Sequence, residues 1–297
     1  LSFAQQDVAL SDLAWFLDEP LADLSSLGFL ALSGLAAKTV TVALSGQGAD
    51  ELLGGYSRHR NAALAARFAR MPRALRSAAR LAPGKFRRVG GMRGASDPVE
   101  RYLIANANMT DDMRRRLVRG DRHGMPARTA VAERLRGVDG DPLAAMLFLD
   151  GQLGLVDDML HYFDRASMAH SLEVRVPFLD HHVVEFASRI PTELKVHGMT
   201  TKYLLKRAAR GIVPDRIIDK PKIGFFNAAV GAWFKAQTNG AIKDYLLAPD
   251  AAYDGLLQRA EVERLVAEHA AGSSARGTEH ALLSILMLEV WLSDVLP

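Results

Sequence analysis

The chain has 297 residues, 49% of them hydrophobic and 24% charged, which is ordinary for a globular enzyme and enough to bury a substantial core. Its 37 basic and 34 acidic residues nearly balance, so charge gives no strong push toward nucleic acid or an acidic membrane surface. The absence of cysteine excludes disulfides, thiolate metal sites and cysteine nucleophiles, and fits a cytoplasmic setting.

The spacing of apolar residues predicts helix over residues 8–37, broken at Asp18-Glu19-Pro20. Pro20 cannot sit in a helix interior and biases Glu19 away from helical backbone. Residues 39–44 alternate β-branched and small apolar side chains and are expected to form a buried strand of a parallel sheet. The strand stops at Ser45-Gly46-Gln47-Gly48, where the glycines let consecutive N–H groups converge on an anion. Asp50 and Glu51 open the next helix, suit its positive end and could hold a divalent cation on phosphates. Gly54-Gly55 ends that helix, and Tyr56 either closes the turn, which is preferred, or lines a pocket. Taken alone, the loop reads equally well as a plain glycine-rich connection.

Residues 61–82 read as an alanine-rich helix interrupted at Pro72, and Pro83-Gly84 with Gly90-Gly91 and Gly94 marks a loop. Nine basic residues and no acidic one lie from Arg67 to Arg93; given the balanced total charge, a solvated face explains them better than an RNA-binding surface. From Pro142 the pattern is helical almost to the end, with Leu147, Leu149, Leu153, Leu155, Met159 and Leu160 at core-facing spacings. Residues 281–296 are the most apolar run. Ser284, Glu289, Ser293 and Asp294 interrupt it, so it reads as a buried helix rather than a membrane span. Only one parallel strand is evident, and there is no internal repeat. His181 and His182 are adjacent, are expected to point apart, and suggest no metal site. A charged cluster of Asp157, Asp158, Asp164, Arg165, Glu173 and Arg175 interrupts the apolar pattern. Glu173 and Arg175, beside Pro177-Phe178-Leu179-Asp180, are expected to form a buried ion-pair network that shapes a pocket wall.

Val42 to Tyr56, Asp164 to Asp180, Lys220-Pro221-Lys222-Ile223-Gly224-Phe225 and Leu286 to Trp291 resemble, in the same order, the synthetase domain of glutamine-dependent asparagine synthetases. The resemblance covers nearly the whole chain. It implies an α/β fold of the Rossmann-like adenine nucleotide alpha hydrolase (PP-loop) kind, here a mostly helical fragment with a truncated parallel sheet. It also implies a remnant nucleotide-binding α/β part over residues 1–60, a basic helical and loop segment over 61–140, and a helical substrate-pocket part over 141–297. The family's upstream strands, its Ser-Gly-Gly-x-Asp-Ser pyrophosphate loop and its glutaminase domain with an N-terminal cysteine have no counterpart in a sequence that opens with Leu1. The chain is therefore expected to be the downstream part of a synthetase domain, weak or inactive by itself.

The resemblance implies an ATP-dependent ligase that adenylates the side-chain carboxylate of aspartate. Ammonia from a glutaminase domain outside this chain then attacks to give asparagine and AMP. ATP and Mg2+ are the implied cofactors, with Ser45, Gly46, Gln47 and Gly48 at the nucleotide and Asp50, a catalytic residue, on the metal. Lys222, on local sequence a solvated lysine, matches the lysine that stabilises adenylation, a role suited to a compact ammonium. Lys202 matches a recurrent family position near the substrate and equally suits a helix surface. Gln47 stands where a carboxylate is common; an amide can orient a reactant but cannot act as a general base. The family's Asp-x-x-Arg pair falls here on Met159 and Tyr162, so Asp157 and Asp158, with Arg165, become the expected acceptor-side groups. Another carboxylate acceptor, as in β-lactam synthetases, stays open, as do a homodimer and a truncated non-catalytic module. No nucleic-acid or membrane partner is expected.

Overall fold

The computed structural model describes residues 10–23, 25–69, 97–120, 126–138, 141–220, 240–272 and 277–296. Helices α1 (Leu10–Leu17) and α2 (Ser25–Ala36) flank the break at Pro20, and Asp23 accepts the Ser25 N–H at 2.8 Å where α2 begins. Strand β1 (Val42–Leu44) is shorter than the expected 39–44. The N–H groups of Thr39 and Val40 instead go back to the Ala36 carbonyl and finish the α2 turn.

A second strand, β2 (Glu173–Arg175), was not expected from the sequence. It runs parallel to β1 with Val42 opposite Glu173, Ala43 opposite Val174 and Leu44 opposite Arg175. Among the described residues β2 is the only neighbour of β1, so the strand is not buried as expected: Leu44 is 74% exposed. The same openness corrects the reading of Glu173 and Arg175 as a buried ion-pair network. Glu173 and Arg175 lie two apart on one face of the strand, 57% and 64% exposed, and pair with each other at 2.8 Å. Asp180 is exposed as well and accepts the His182 N–H at 2.9 Å, capping the helix that follows.

Helices α3 (Ala49–Leu53), α4 (Ser57–Ala69), α5 (Pro98–Asn106), α6 (Asp111–Leu117), α7 (Pro126–Arg134) and α8 (Pro142–Leu149) follow β1. Local chemistry sets several starts. Asp97 and Asp141 each precede a proline and accept N–H groups of the first turn, and Thr110 does the same for Met113. The expected continuation of α4 through residues 70–82, the glycine loop after it and most of the basic residues lie outside the described residues. From Pro142 to Met168 the chain stays helical, but residues Asp150–Leu160 are a π-helix between α8 and α9 (His161–Met168). After β2 come a 3-10 turn (Pro177–Leu179), α10 (His181–Arg189), α11 (Thr192–Lys195), α12 (Tyr203–Ala209), α13 (Asp215–Ile218), α14 (Ala241–Leu246), α15 (Arg259–Ala270) and α16 (Thr278–Val290). The rings of His181 and His182 do not point apart; their centroids are 3.8 Å from each other.

One core joins the beginning and end of the chain, with Leu13, Leu17, Leu30, Phe163, Leu246, Leu265, Leu282 and Leu286 packed together. A second lies among α4, α5, α7 and α8, around Ala62, Tyr102, Val131, Leu143 and Met146. No helix among the described residues is long and apolar enough to cross a membrane. α16 is buried, as its composition suggests, and its one buried acid has a purpose. Glu289 accepts the N–H groups of Ala252 and Tyr253 at 2.9 and 2.8 Å and the Ser293 hydroxyl at 2.9 Å. Removing that acceptor strands buried donors, so Glu289→Ala is expected to cost about 3 kcal/mol. The check is a urea unfolding midpoint that falls clearly for Glu289→Ala and by a smaller amount for Glu289→Gln, which keeps one acceptor.

Candidate active site

The carboxyl ends of β1 and β2 bring together the chain's two most distinctive strings. Ser45 continues the ladder by donating its N–H to the Arg175 carbonyl at 2.9 Å, and the backbone then turns away through Gly46, Gln47 and Gly48. Gly48 has φ +85, and a Cβ there would lie 2.1 Å from Leu179 Cδ2, so glycine is required both by backbone and by packing. Leu179 belongs to the Val176-Pro177-Phe178-Leu179-Asp180 string 131 positions further along. Gly46, in contrast, is exposed, with nothing within 4 Å of where its Cβ would be.

Beyond the turn, Asp50 on α3 pairs with Lys202 at 2.8 Å, the two side chains being 15% and 23% exposed. Lys202 occupies the left-handed region, φ 51, at the start of α12, a sparsely populated conformation for a residue with a side chain. The pair fits because residue 55 is glycine; a Cβ there would sit 1.6 Å from Asp50 Oδ1 and 2.5 Å from Lys202 Cε. Next to Asp50, the buried Glu51 accepts a hydrogen bond from the Tyr56 phenol across the Gly54-Gly55 turn. Burial, with the adjacent Glu51 carboxylate, pushes the Tyr56 phenol well above its ordinary range and keeps it the donor.

The acceptor-side residues proposed from the sequence are not brought together. Asp157 is exposed and reaches Arg134 at 3.4 Å. Arg165 points to the α1–α2 turn, 3.8 Å from Asp18. Asp158 alone is partly buried, between Asp23 and His161, on a π-helix that packs against α3. Lys222 lies outside the described residues. The sequence reading missed a buried cluster beside the turn. His59 and Asp150, 0% and 1% exposed, meet at 2.5 Å, and Arg58 Nε reaches the same Asp150 oxygen at 2.8 Å. A signal was there: Asp150 is a lone acid directly after the apolar run Leu147-Phe148-Leu149.

A glycine turn at the carboxyl edge of a parallel strand pair, with a carboxylate and a lysine at its mouth, defines an α/β site of a recognisable kind. Residues 2–293 match the asparagine synthase family, and the chain belongs to it. It is 30% identical over 290 residues to asparagine synthetase [glutamine-hydrolyzing] 1 of Bacillus subtilis, covering 96% of this chain and 45% of that protein. It is 34% identical over 292 residues to a putative asparagine synthetase [glutamine-hydrolyzing] of Mycobacterium bovis, covering 94% and 44%. A more distant relative is the amidase chry2 of Gibberella zeae, 24% identical over 245 residues, with 71% and 36% covered. The chain spans less than half the length of the two synthetases.

Burial, and next the charge of Asp23, push the Asp158 carboxyl up to about 6. A carboxyl raised by folding contributes its stability below the unfolded value, near 4, and loses it as pH rises through 6. Asp158→Asn is therefore expected to match the unmodified protein near pH 4 and to exceed it in urea midpoint by a margin that grows up to about pH 7. Midpoints measured at half-unit pH steps check this; a constant margin would contradict it.

Proposed function

We propose that this chain carries ATP-dependent amide synthesis: the carboxylate of an acceptor attacks the α-phosphorus of ATP, pyrophosphate leaves, and ammonia displaces AMP from the acyl-adenylate. The preferred acceptor is aspartate, which yields asparagine, and the ammonia comes from glutamine hydrolysis on a glutaminase domain. Family membership supports the reaction class, and the names of both synthetases support aspartate and glutamine. The fold class proposed is the Rossmann-like PP-loop type, which the parallel β1–β2 pair supports. The single observation that carries the reading is the seating of Leu179 against Gly48 beside the Asp50–Lys202 pair, since it joins the two family strings into one cradle.

Each group has a task suited to its chemistry. Backbone N–H groups of residues 45–48 are the donors for phosphate oxygens, and the open space at Gly46 leaves room for their approach. Asp50 fits a magnesium ion, being a partly buried oxygen donor held by a lysine whose flexible stem can swing to the phosphates instead. The chemistry magnesium supplies when bound is neutralisation of charge on the leaving pyrophosphate. Lys202 and Lys222 supply positive charge whose attraction for the pyrophosphate grows as negative charge builds on it during departure. Gln47 orients a reactant by hydrogen bonding and takes no proton.

A second reading, with a different carboxylate as acceptor, is favoured by one feature. Where the family's acceptor-handling arginine falls, this chain has Tyr162, buried with its ring 5.8 Å from that of Phe29, and its ionisation is held off by burial and by Asp23 and Asp158. A tyrosine at position 162 offers no cation to an α-carboxylate.

The complete gene product, given Mg–ATP and a panel of carboxylates, is expected to release pyrophosphate fastest with aspartate. Faster release with another acid selects the second reading, and background release with all of them contradicts both. Asp50→Asn is expected to lower the rate about 100-fold. Gly55→Ala, which unseats the Asp50–Lys202 pair, is expected to weaken Mg–ATP binding about tenfold in calorimetric titration.

A further inference from the structure

A contiguous set of side chains joins the nucleotide-side turn to the helix that carries Asp158. Glu51, next to Asp50, is bonded to the Tyr56 phenol, and the Tyr56 ring lies under the Arg58 guanidinium at 4.0 Å. Arg58 and His59 both grip Asp150, the first residue of the π-helix. The Tyr56 N–H donates to His59 Nδ1 at 3.3 Å, which leaves Nε2 carrying the proton that faces Asp150. Burial, the largest influence on Asp150, acts to neutralise it. The hydrogen bond from His59 and the charge of Arg58 outweigh burial and hold the carboxyl below its ordinary value, so it is an anion bound from two sides. A buried anion held this way has few alternative positions, because leaving Arg58 separates two charges and leaving His59 strands a buried N–H donor.

We propose that Asp150 is a positioning residue: through Arg58, His59 and Tyr56 it locks the start of the π-helix to the turn after α3, and so fixes where Asp158 stands relative to Asp50. For turnover this rests on the reading that Asp50 serves the nucleotide and that the acceptor lies on the Asp158 side. Asp158 is eight residues beyond Asp150 on the same helix, so a change of register at Asp150 is transmitted to it directly.

The test uses the complete gene product and Asp150→Asn, with Tyr56→Phe as a milder variant that breaks only the Glu51 link. In hydrogen–deuterium exchange, the peptides covering 150–160 and 49–56 are expected to exchange about tenfold faster in both variants, with α15 and α16 unchanged. Acceleration everywhere, or in neither segment, would overturn the positioning role whatever the enzyme does. In pyrophosphate release, KM for the acceptor is expected to rise at least tenfold in Asp150→Asn while KM for ATP stays within twofold. Equal losses for both substrates would overturn it too. A complete gene product without synthetase activity would count against the proposed function, and the exchange result would still decide the role of Asp150.

Discussion

The close packing of Leu179 on Gly48 is the contact on which the rest of the site depends. Two strings far apart in sequence meet there at van der Waals distance, in a place where any side chain at residue 48 would collide. The parallel pairing of β1 and β2 aligns the strands, but a three-residue ladder is a weak constraint by itself. Leu179 supplies the constraint the ladder lacks, by filling the underside of the turn so that the backbone of residues 45–48 has one course.

Charge placement follows from that course. The turn delivers Asp50 to the start of α12, where Lys202 meets it, and Gly55 clears the space between α3 and α4 that the pair occupies. Behind it, Glu51 and Asp150 are buried acids, each hydrogen-bonded by a partner from the same short segment, Tyr56 to His59. The segment from Tyr56 to His59 thus ties α3 and the π-helix together through its side chains.

Much of this was legible in the sequence because glycine, proline and long apolar runs have few structural meanings. The Pro20 break, the strand-to-turn junction at Ser45 and the buried C-terminal helix follow from such residues directly. The strand β2 was not legible, since Glu173-Val174-Arg175 presents two charges around one apolar residue and is open on its charged face. Its place in a sheet comes from pairing with β1, which no local pattern encodes. The ion cluster at Asp150 was hidden for a similar reason: the lone acid after the apolar run 147–149 calls for a partner, but His59 is 91 positions away and no local pattern names it. The expected acceptor group of Asp157, Asp158 and Arg165 is not gathered in one place, because the helical path aims neighbouring residues at different faces, sending Asp157 to Arg134 and Arg165 to Asp18.

The most direct measurement is a crystal structure of the complete gene product with magnesium and a non-hydrolysable ATP analogue. The phosphates are expected within hydrogen-bonding reach of the backbone of residues 45–48, with the metal on Asp50 and Lys222 Nζ in the same cavity. Phosphates bound elsewhere while this turn stays empty, or Lys222 on a different face of the molecule, would contradict the account.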